Sequence, residues 1–596
     1  MSQIKLQPEM HDDEPGDAQR PRQSIGRFFE RRGAILLLGF WLLAYILPLG
    51  WRPLVQPDEI RYGEIAREML DSGDWIVPRL SGLRHFERPP LGHWLNAVSL
   101  SLFGENAFGV RFISSLCIGL MGIASWHFTR RYAGSGTAGL IAGIAFLSTP
   151  AALAVGNYAL LDGIVALWLT LALMCFYHGL HAPSTLTRQG YYALFGLMCG
   201  LAFLTHGLLS LVMPLAVVVP FLIWQKRSGE LMRCLPVALT VAVLVAAPWS
   251  WLIHQREPDF WRHYFWVEHL QYYTGAEESE PIWFYLPVII VGAFPWLILL
   301  VGAPWQALRK QSSPQVIALI RYCLCWGVLG LLFFSIARSK SQMYILPCIP
   351  VLTILMGVAA SKLIKETRET LFINGIQVCR VILVLMLLAA VLNFTAGIGA
   401  PAWRVHETVE WVWFCGVLVA WIGILRMAIA APLLARHWVV GLGTVPMFAL
   451  IPLFLPELVY AGKMPGSFIQ DQSTTVTDET VVATDATLLA SASWYLKRTD
   501  IYLVGGMGEY QYGLSYPDAS FRHIEFDEFS DFIQQSNRPV AYFDKFGGRP
   551  PANLPAGASE GVMGRFILFR LYPAPLNKPD RQATLAPLKQ QTPVDK

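Results

Sequence analysis

From Ala34 to about Val459 the chain alternates apolar runs of about 17–22 residues with polar breaks. A helix of that length crosses a hydrocarbon core roughly 30 Å thick. The runs predict about thirteen spanning helices, near 34–50, 110–129, 135–153, 159–180, 190–205, 208–224, 234–253, 283–305, 316–337, 343–362, 376–397, 408–429 and 437–456. The first break is long, residues 51–109, and its stretch "EIRYGEIAREMLDSG" interleaves Ile60, Ile65, Met69 and Leu70 with charge. That spacing predicts one or two amphipathic helices lying on the membrane surface. After about Met464 the pattern changes. A Thr/Asp-rich segment leads into short strand-like runs at 501–506, 539–545 and 565–572. These predict a small α/β domain over 461–575, followed by a polar tail, 576–596.

Composition agrees with the pattern. Of 596 residues, 54 % are hydrophobic, 13 % aromatic and only 15 % charged, where soluble domains carry nearer a quarter charged residues. The first 32 residues are polar and Arg-rich (Arg20, Arg22, Arg27, Arg31, Arg32). They are too long and too charged for the n-region of a cleaved signal, and no A-x-A site follows the first run. They read as a disordered cytoplasmic tail ahead of a signal-anchor helix. All nine cysteines lie between Cys117 and Cys415, inside the apolar portion, where free Cys acts as a small hydrophobe. Cys323 and Cys325 have the wrong spacing for a CxxC motif. The net charge of +4 gives no support for a nucleic-acid partner.

Charge also reports sidedness, because short cytoplasmic loops collect Lys and Arg. With the N-terminus inside, the inner loops hold Arg130 and Arg131; Arg188; Lys226, Arg227 and Arg233; Arg309 and Lys310; Lys362, Lys365 and Arg368; Arg426 and Arg436. The alternation predicts an odd number of spans and a periplasmic C-terminal domain.

Topology offers no reason for the charges left on the outer side: Asp58, Glu59, Arg61, Asp74, Glu87, Arg88, Asp162, His206, Glu268, His269, Arg338 and Lys340. An ionisable group at the bilayer edge is a functional-site candidate by default. Asp162 sits at the outer end of the fourth run with no cation within a helical turn. It suits either a polar interhelical contact or, with Asp58, a base or electrostatic stabiliser at a centre that develops positive charge. Arg61, Arg88, Arg338 and Lys340 singly suit headgroup snorkelling. Together they suggest an anion held on that side, since Arg and Lys both bind phosphate. Glu87, Glu268 and His269 offer carboxylate and imidazole, a donor set for Zn²⁺ or Mn²⁺. Trp261, Trp266, Tyr272 and Tyr273 read as an interfacial belt.

The stretch "PDEIRYGEIAREML…SGDWIVPRLSGLRHFERPPLGHWL" (57–95) resembles the first outer loop of the bacterial aminoarabinose transferases. These are polyprenyl-phosphate-dependent glycosyltransferases of the GT-C fold, related to protein O-mannosyltransferases. The resemblance continues in order through "LLDG" (160–163), "GLAFLTHG" (200–207), "VEHLQYY" (267–273), "FPWL" (294–297) and "FFSIARSKSQMYILPCIP" (333–350). It implies a GT-C membrane domain over 33–460 with a periplasmic loop at 51–109. It also implies transfer of a sugar, aminoarabinose or a related one, from undecaprenyl phosphate to lipid A or another glycan or protein acceptor, with no nucleotide cofactor.

Carried over by motif, Asp58 and Asp162 match the two essential aspartates, with Glu59 and Tyr62 beside the first. Arg61 and Arg88 match ligands of the lipid phosphate, and Lys340 and Tyr344 border the lipid cavity near Arg338. Glu87 with His269 matches a metal position for Zn or Mn/Mg, adjoining Glu268. The family usually has Lys where this chain has Arg88 and where it has His206, and an Arg-Phe pair near the place of Tyr272 and Tyr273. The runner-up within the same chemistry is a protein O-mannosyltransferase-like enzyme. A lipid or sugar flippase would instead place ionisable or helix-breaking residues near the midplane.

Overall fold

The computed structural model describes residues 32–271, 280–301, 313–365, 369–546, 559–563 and 567–574. The expected tails, the side chains of Glu268 and His269, and Tyr272, Tyr273, Arg309, Lys310 and Arg368 lie outside the described residues. The chain forms two compact units, one running through Tyr460 and the other from Ala461, which also includes Ser81–Leu83.

The first unit is helical. It opens with α1 (Arg32–Ile46), α2 (Asp58–Ser72) and α3 (Leu91–Phe103), with a short β1–β2 hairpin (Arg79–Leu80, Leu83–Arg84) between the last two. It continues with α4 (Ala107–Ala133), α5 (Gly136–Leu147), α6 (Pro150–Gly156), α7 (Leu161–Leu180), α8 (Thr185–His206), α9 (Leu209–Trp224) and α10 (Gly229–Arg256). Further long helices span Pro314–Ile336, Ile349–Lys365, Glu369–Ala396 and Thr408–Ala430. Among the described residues seven helices are long and apolar enough to cross a membrane, or eight if the bent pair α5 and α6 is one span. The protein is therefore a polytopic helical membrane protein.

Several runs that read as single spans are broken. The chain bends by 59° between α5 and α6, at Ser148-Thr149-Pro150. There the Thr149 hydroxyl accepts from Ala152 N at 3.3 Å and Pro150 occupies the first turn, so a new helix starts where the old one ends. The run at 437–456 divides into Leu433–Leu442 and Val445–Ala449. Where helices run closest, glycine permits it: a Cβ on Gly196 would fall 2.2 Å from the Ala238 carbonyl oxygen on α10, and one on Gly357 2.2 Å from that of Ala138 on α5.

In the first loop, charge as well as apolar side chains is packed into the protein. α2 buries Glu59, Glu64, Arg67 and Glu68 along with Ile60, Ile65 and Met69. Its charges turn inward because they are paired: Arg67 Nε and Nη2 donate to Glu64 at 2.8 and 2.6 Å, and Arg67 also meets Asp71. The loop is fastened to the end of α10, with Arg84 Nε on Glu257 at 2.8 Å, Arg256 Nη1 on Asp74 at 2.9 Å and Trp249 Nε1 on the Ile76 carbonyl at 3.0 Å. Asp74 thus has a structural partner.

The second unit is a mixed sheet of order β5-β4-β3-β6-β8-β7, formed by β3 (Val481–Thr484), β4 (Tyr502–Val504), β5 (His523–Ile524), β6 (Val540–Lys545), β7 (Ser559–Met563) and β8 (Ile567–Tyr572). β3 pairs in parallel with β4 and β6, and β8 runs antiparallel to β6 and β7. Helices Leu489–Leu496 and Phe529–Gln535 make the crossovers that parallel strands require. Phe529, fully buried, packs its ring 4.7 Å from that of Tyr542 on the sheet.

Candidate active site

The centre of the first unit's polar chemistry is a buried carboxylate. Glu59, the second residue of α2, is fully buried and surrounded by six donor contacts. Arg111 of α4 approaches side-on, Nε to Oε1 at 2.6 Å and Nη2 to Oε2 at 2.8 Å. Arg52 adds Nη1 to Oε2 at 2.8 Å and Nη2 to Oε1 at 3.0 Å. The backbone N–H of Val55 donates to Oε2 at 2.8 Å and that of Ala159 to Oε1 at 3.1 Å. The remaining guanidinium hydrogens reach the carbonyls of Leu49, Arg52 and Pro53 from Arg111, and of Asn157 from Arg52. Burial alone would raise the Glu59 carboxyl, but the Arg111 and Arg52 guanidiniums outweigh it and hold it down at about 2.

This knot joins four pieces of chain: residues 49–55, the start of α2, α4, and the turn ahead of α7. It therefore fixes the positions of Asp58, one residue before Glu59, and Asp162, three residues after Ala159. Glu59 thus ties together the segments that carry both aspartates. Arg52 and Arg111 were not singled out from sequence, although Arg111 inside the apolar stretch "AFGVRFISSL" carried a readable signal.

Around Asp58 the next layer is cationic. Arg61 Nη1 stands 3.8 Å from Asp58 Oδ1 and 3.2 Å from Glu87 Oε2. Glu87 also meets His85 Nε2 at 3.3 Å and Arg88 Nη2 at 3.6 Å. Burial would raise the Glu87 carboxyl, yet the His85 hydrogen bond, Arg88 and Arg61 together hold it far below the usual carboxylate range. Burial would lower Arg88, but the Glu87 carboxylate secures its charge, with Tyr344, Tyr62 and Tyr264 in electrostatic reach.

Asp162 completes the group. It lies in the first turn of α7, where the helix N-terminus favours a carboxylate. The turn before it is clamped by Ser114, whose hydroxyl donates to Leu160 O at 3.0 Å and accepts from Leu160 N at 3.2 Å. Arg88, Asp58 and Glu87 all act on the Asp162 carboxyl through space. The cation that the sequence lacked within a helical turn is supplied by the first loop.

The structure also brings His206, the last residue of α8, against Tyr344, their rings edge-to-face at 5.7 Å. Lys340 has a different neighbour: its Nζ donates to the Glu280 carbonyl at 2.7 Å, and Glu280 N donates to Arg338 O at 3.1 Å. Both residues pin the 280 segment. For a metal, the His269 side chain expected beside Glu87 lies outside the described residues, and among the described residues His85 Nε2 is an imidazole nitrogen next to Glu87. The arrangement sets two carboxylates, Asp58 and Asp162, beside the guanidiniums of Arg61 and Arg88. It can stabilise positive charge at one atom and negative charge on an adjoining phosphate.

Residues 32–264 match the family model for dolichyl-phosphate-mannose-protein mannosyltransferase. Residues 460–569 match that for the C-terminal domain of the arabinosyl transferase ArnT. The undecaprenyl phosphate-alpha-4-amino-4-deoxy-L-arabinose arabinosyl transferase of Shewanella sediminis is 36 % identical over 540 residues, covering 90 % of this chain and 97 % of the relative. The Aeromonas hydrophila protein of the same description is 38 % identical over 515 residues, with coverages of 84 % and 91 %. The crystal structure of ArnT from Cupriavidus metallidurans bound to undecaprenyl phosphate superposes with a TM-score of 0.77 at 25 % identity, covering 92 % of this chain and 99 % of that one.

Proposed function

The chain belongs to the family of undecaprenyl phosphate-aminoarabinose arabinosyl transferases, and from that premise we propose how its residues share the work of glycosyl transfer. It is a membrane glycosyltransferase that takes 4-amino-4-deoxy-L-arabinose from an undecaprenyl phosphate donor. The observation that carries the residue assignment is the convergence of Asp58, Arg61, Glu87, Arg88 and Asp162 from two distant parts of the chain.

The bond that breaks joins the anomeric carbon to the donor phosphate oxygen, and the bond that forms joins that carbon to an acceptor oxygen. Such transfer passes through an oxocarbenium-like state. Asp58 and Asp162 offset the positive charge on the sugar, and Arg61 and Arg88 neutralise the phosphate as it leaves. With lipid A as acceptor, the nucleophile is a phosphate oxygen. The acceptor monoester becomes a diester as the donor diester becomes a monoester, so no proton has to move. Asp58 then acts by charge, not as a base, and the anomeric carbon inverts. A protein acceptor would bring a hydroxyl and require that base. The match of the C-terminal segment to the arabinosyl transferase model favours lipid A.

Glu87 and His85 offer the donor types that a Zn²⁺ or Mn²⁺ ion takes, and when bound such an ion would supply Lewis acidity beside the phosphate. The basic inner loops support a periplasmic position for this site and the C-terminal domain, about thirteen crossings of the inner membrane and a cytoplasmic N-terminus.

The test is mass spectrometry of lipid A from cells with and without the chain, together with polymyxin susceptibility. An aminoarabinose adduct that appears only with the chain, alongside raised resistance, is the expected result. The sugar's ammonium would offset lipid A phosphate charge and weaken binding of a cationic peptide. Unchanged lipid A would move the acceptor elsewhere.

Arg88 gives a sharper prediction. Arg88→Lys keeps the charge and is expected to keep donor binding. Arg88→Gln is expected to weaken binding of undecaprenyl phosphate by about 10- to 100-fold, the worth of one charge-assisted hydrogen bond. Equal binding by both variants in native mass spectrometry would remove Arg88 from the phosphate site.

A further inference from the structure

Far from this chemistry, three arginines converge on a single carboxylate. Glu230, buried at the start of α10, accepts from Arg233 Nη1 at 2.7 Å and from Tyr192 Oη at 3.0 Å. Arg188 Nη1 and Arg227 Nη2 stand 3.5 and 3.7 Å from the same Glu230 oxygen that Arg233 meets. Lys226 adjoins them in sequence, and Glu230 is the one acid between Asp162 and Glu257. The cluster therefore holds more positive charge than its carboxylate can neutralise.

Hydrogen bonding is incomplete there as well. Arg188 Nε, and Gln225 Nε2 two residues before Arg227 in sequence, are buried donors with no hydrogen-bond partner among the described residues. Buried polar atoms of that kind ordinarily have one.

Place and surroundings indicate what would complete the cluster. Arg227 Nη2 also donates to the Leu180 carbonyl at 3.4 Å, at the last residue of the 20-residue helix that starts beside Asp162. At about 1.5 Å per residue the cluster lies roughly 30 Å from the active site, at the other membrane face. Leu186, Ile223, Trp224 and Met232 around it are exposed by 85, 63, 54 and 74 %, as lipid-facing side chains are. The Arg321 guanidinium lies over the Trp224 ring at 5.9 Å. The preference of one membrane face for basic loops accounts for cations there. It gives no reason for three guanidiniums to crowd one carboxylate.

We infer that Arg188, Arg227 and Arg233 form a binding site for the phosphate of an anionic phospholipid in the leaflet opposite the active site. The phosphate supplies the missing negative charge and acceptors, Arg forks match its geometry, and the acyl chains lie along the exposed apolar side chains. Basic pockets between helices at such a face are a general mode of lipid headgroup recognition.

The test uses the purified full-length protein, delipidated in a neutral detergent. Retention by native mass spectrometry and thermal stabilisation are followed on adding phosphatidylglycerol, phosphatidylcholine or inorganic phosphate. Phosphatidylglycerol is expected to bind saturably and raise the unfolding temperature, with the other two doing neither. The Arg188→Gln/Arg227→Gln variant is expected to bind it about 10- to 100-fold more weakly. Glu230→Gln, which removes the competing carboxylate, is expected to bind it more tightly and to gain more stability from it, a sign that simple misfolding does not produce. Equal retention of phosphatidylcholine, or affinity unchanged in the double variant, overturns the proposal. Equal stabilisation by inorganic phosphate overturns the lipid assignment in favour of a soluble anion.

Discussion

Glu59→Gln is expected to abolish transfer and to lower stability by about 3–5 kcal/mol, the range for removing one partner of a buried ion pair. The geometry explains why the loss is large. Glutamine keeps one acceptor oxygen but turns an amide NH₂ toward guanidiniums that already donate, so Arg52 and the fully buried Arg111 lose their counter-charge. Two backbone donors, Val55 N and Ala159 N, share the two oxygens with those arginines, and one of the pair loses its acceptor. Loss of activity follows because the same contacts hold Asp58 and Asp162 in register.

Removing the charge from both sides should hurt less. Glu59→Gln with Arg111→Met is expected to unfold at higher denaturant than Glu59→Gln alone while remaining inactive. Denaturant unfolding in detergent micelles measures both. A Glu59→Gln protein that unfolds like the wild type would remove the knot from the stability argument. Acid offers a check on the sign. The Glu59 carboxyl is depressed in the fold, so its contribution is complete above the ordinary carboxylate range near 4 and is lost only as pH falls toward about 2. Between pH 8 and 5 this pairing should contribute no change in stability.

The same knot shows what the sequence could and could not disclose. A run such as 316–337 needs no tertiary context, because about twenty apolar residues are enough to specify a helix in a bilayer. α2 is different. Its amphipathic pattern could not foretell the burial of Glu59, because that residue's partners are elsewhere: Arg52 lies seven residues before Glu59 and Arg111 fifty-two residues after it. Only the fold brings them together. Asp58, Arg61, Glu87, Arg88 and Asp162 were visible as outer charges without a topological reason, and the resemblance divided roles among them. His85 was missed because no spacing rule distinguishes it from its neighbours.

In the second unit, β4, β6 and β8 announce themselves through β-branched and aromatic runs. β3 is hidden, since "VVAT" sits between Thr- and Asp-rich flanks that read as loop. The bend between α5 and α6 was legible in Ser148-Thr149-Pro150, a helix-start signal inside an apolar run.

Asp58→Asn is expected to reduce turnover by about 10²- to 10⁴-fold, the range for loss of one charge-stabilising or acid–base group, with donor binding retained or tightened. Asparagine has nearly the same shape, so the Glu59 knot and the start of α2 are undisturbed. On the proposed assignment, what disappears is negative charge beside the anomeric carbon, which matters most in the oxocarbenium-like state. Because the Asp58 carboxylate stands 3.8 Å from Arg61, its loss also leaves that guanidinium freer to meet the donor phosphate. Asp162→Asn is expected to act in the same direction, since its carboxylate shares the field of Arg88 and Asp58. The double variant is then expected to fall short of the product of the two effects, because both groups act on one developing charge. The contrast with Arg88→Gln separates the roles. Loss at an aspartate should appear in turnover with donor affinity intact, and loss at Arg88 should appear in donor affinity. Single-turnover transfer and undecaprenyl phosphate binding, measured on the same preparations, resolve the two. An Asp58→Asn enzyme that keeps more than about a tenth of its turnover would place the stabilising charge on Asp162 alone and leave Asp58 as a tether for Arg61.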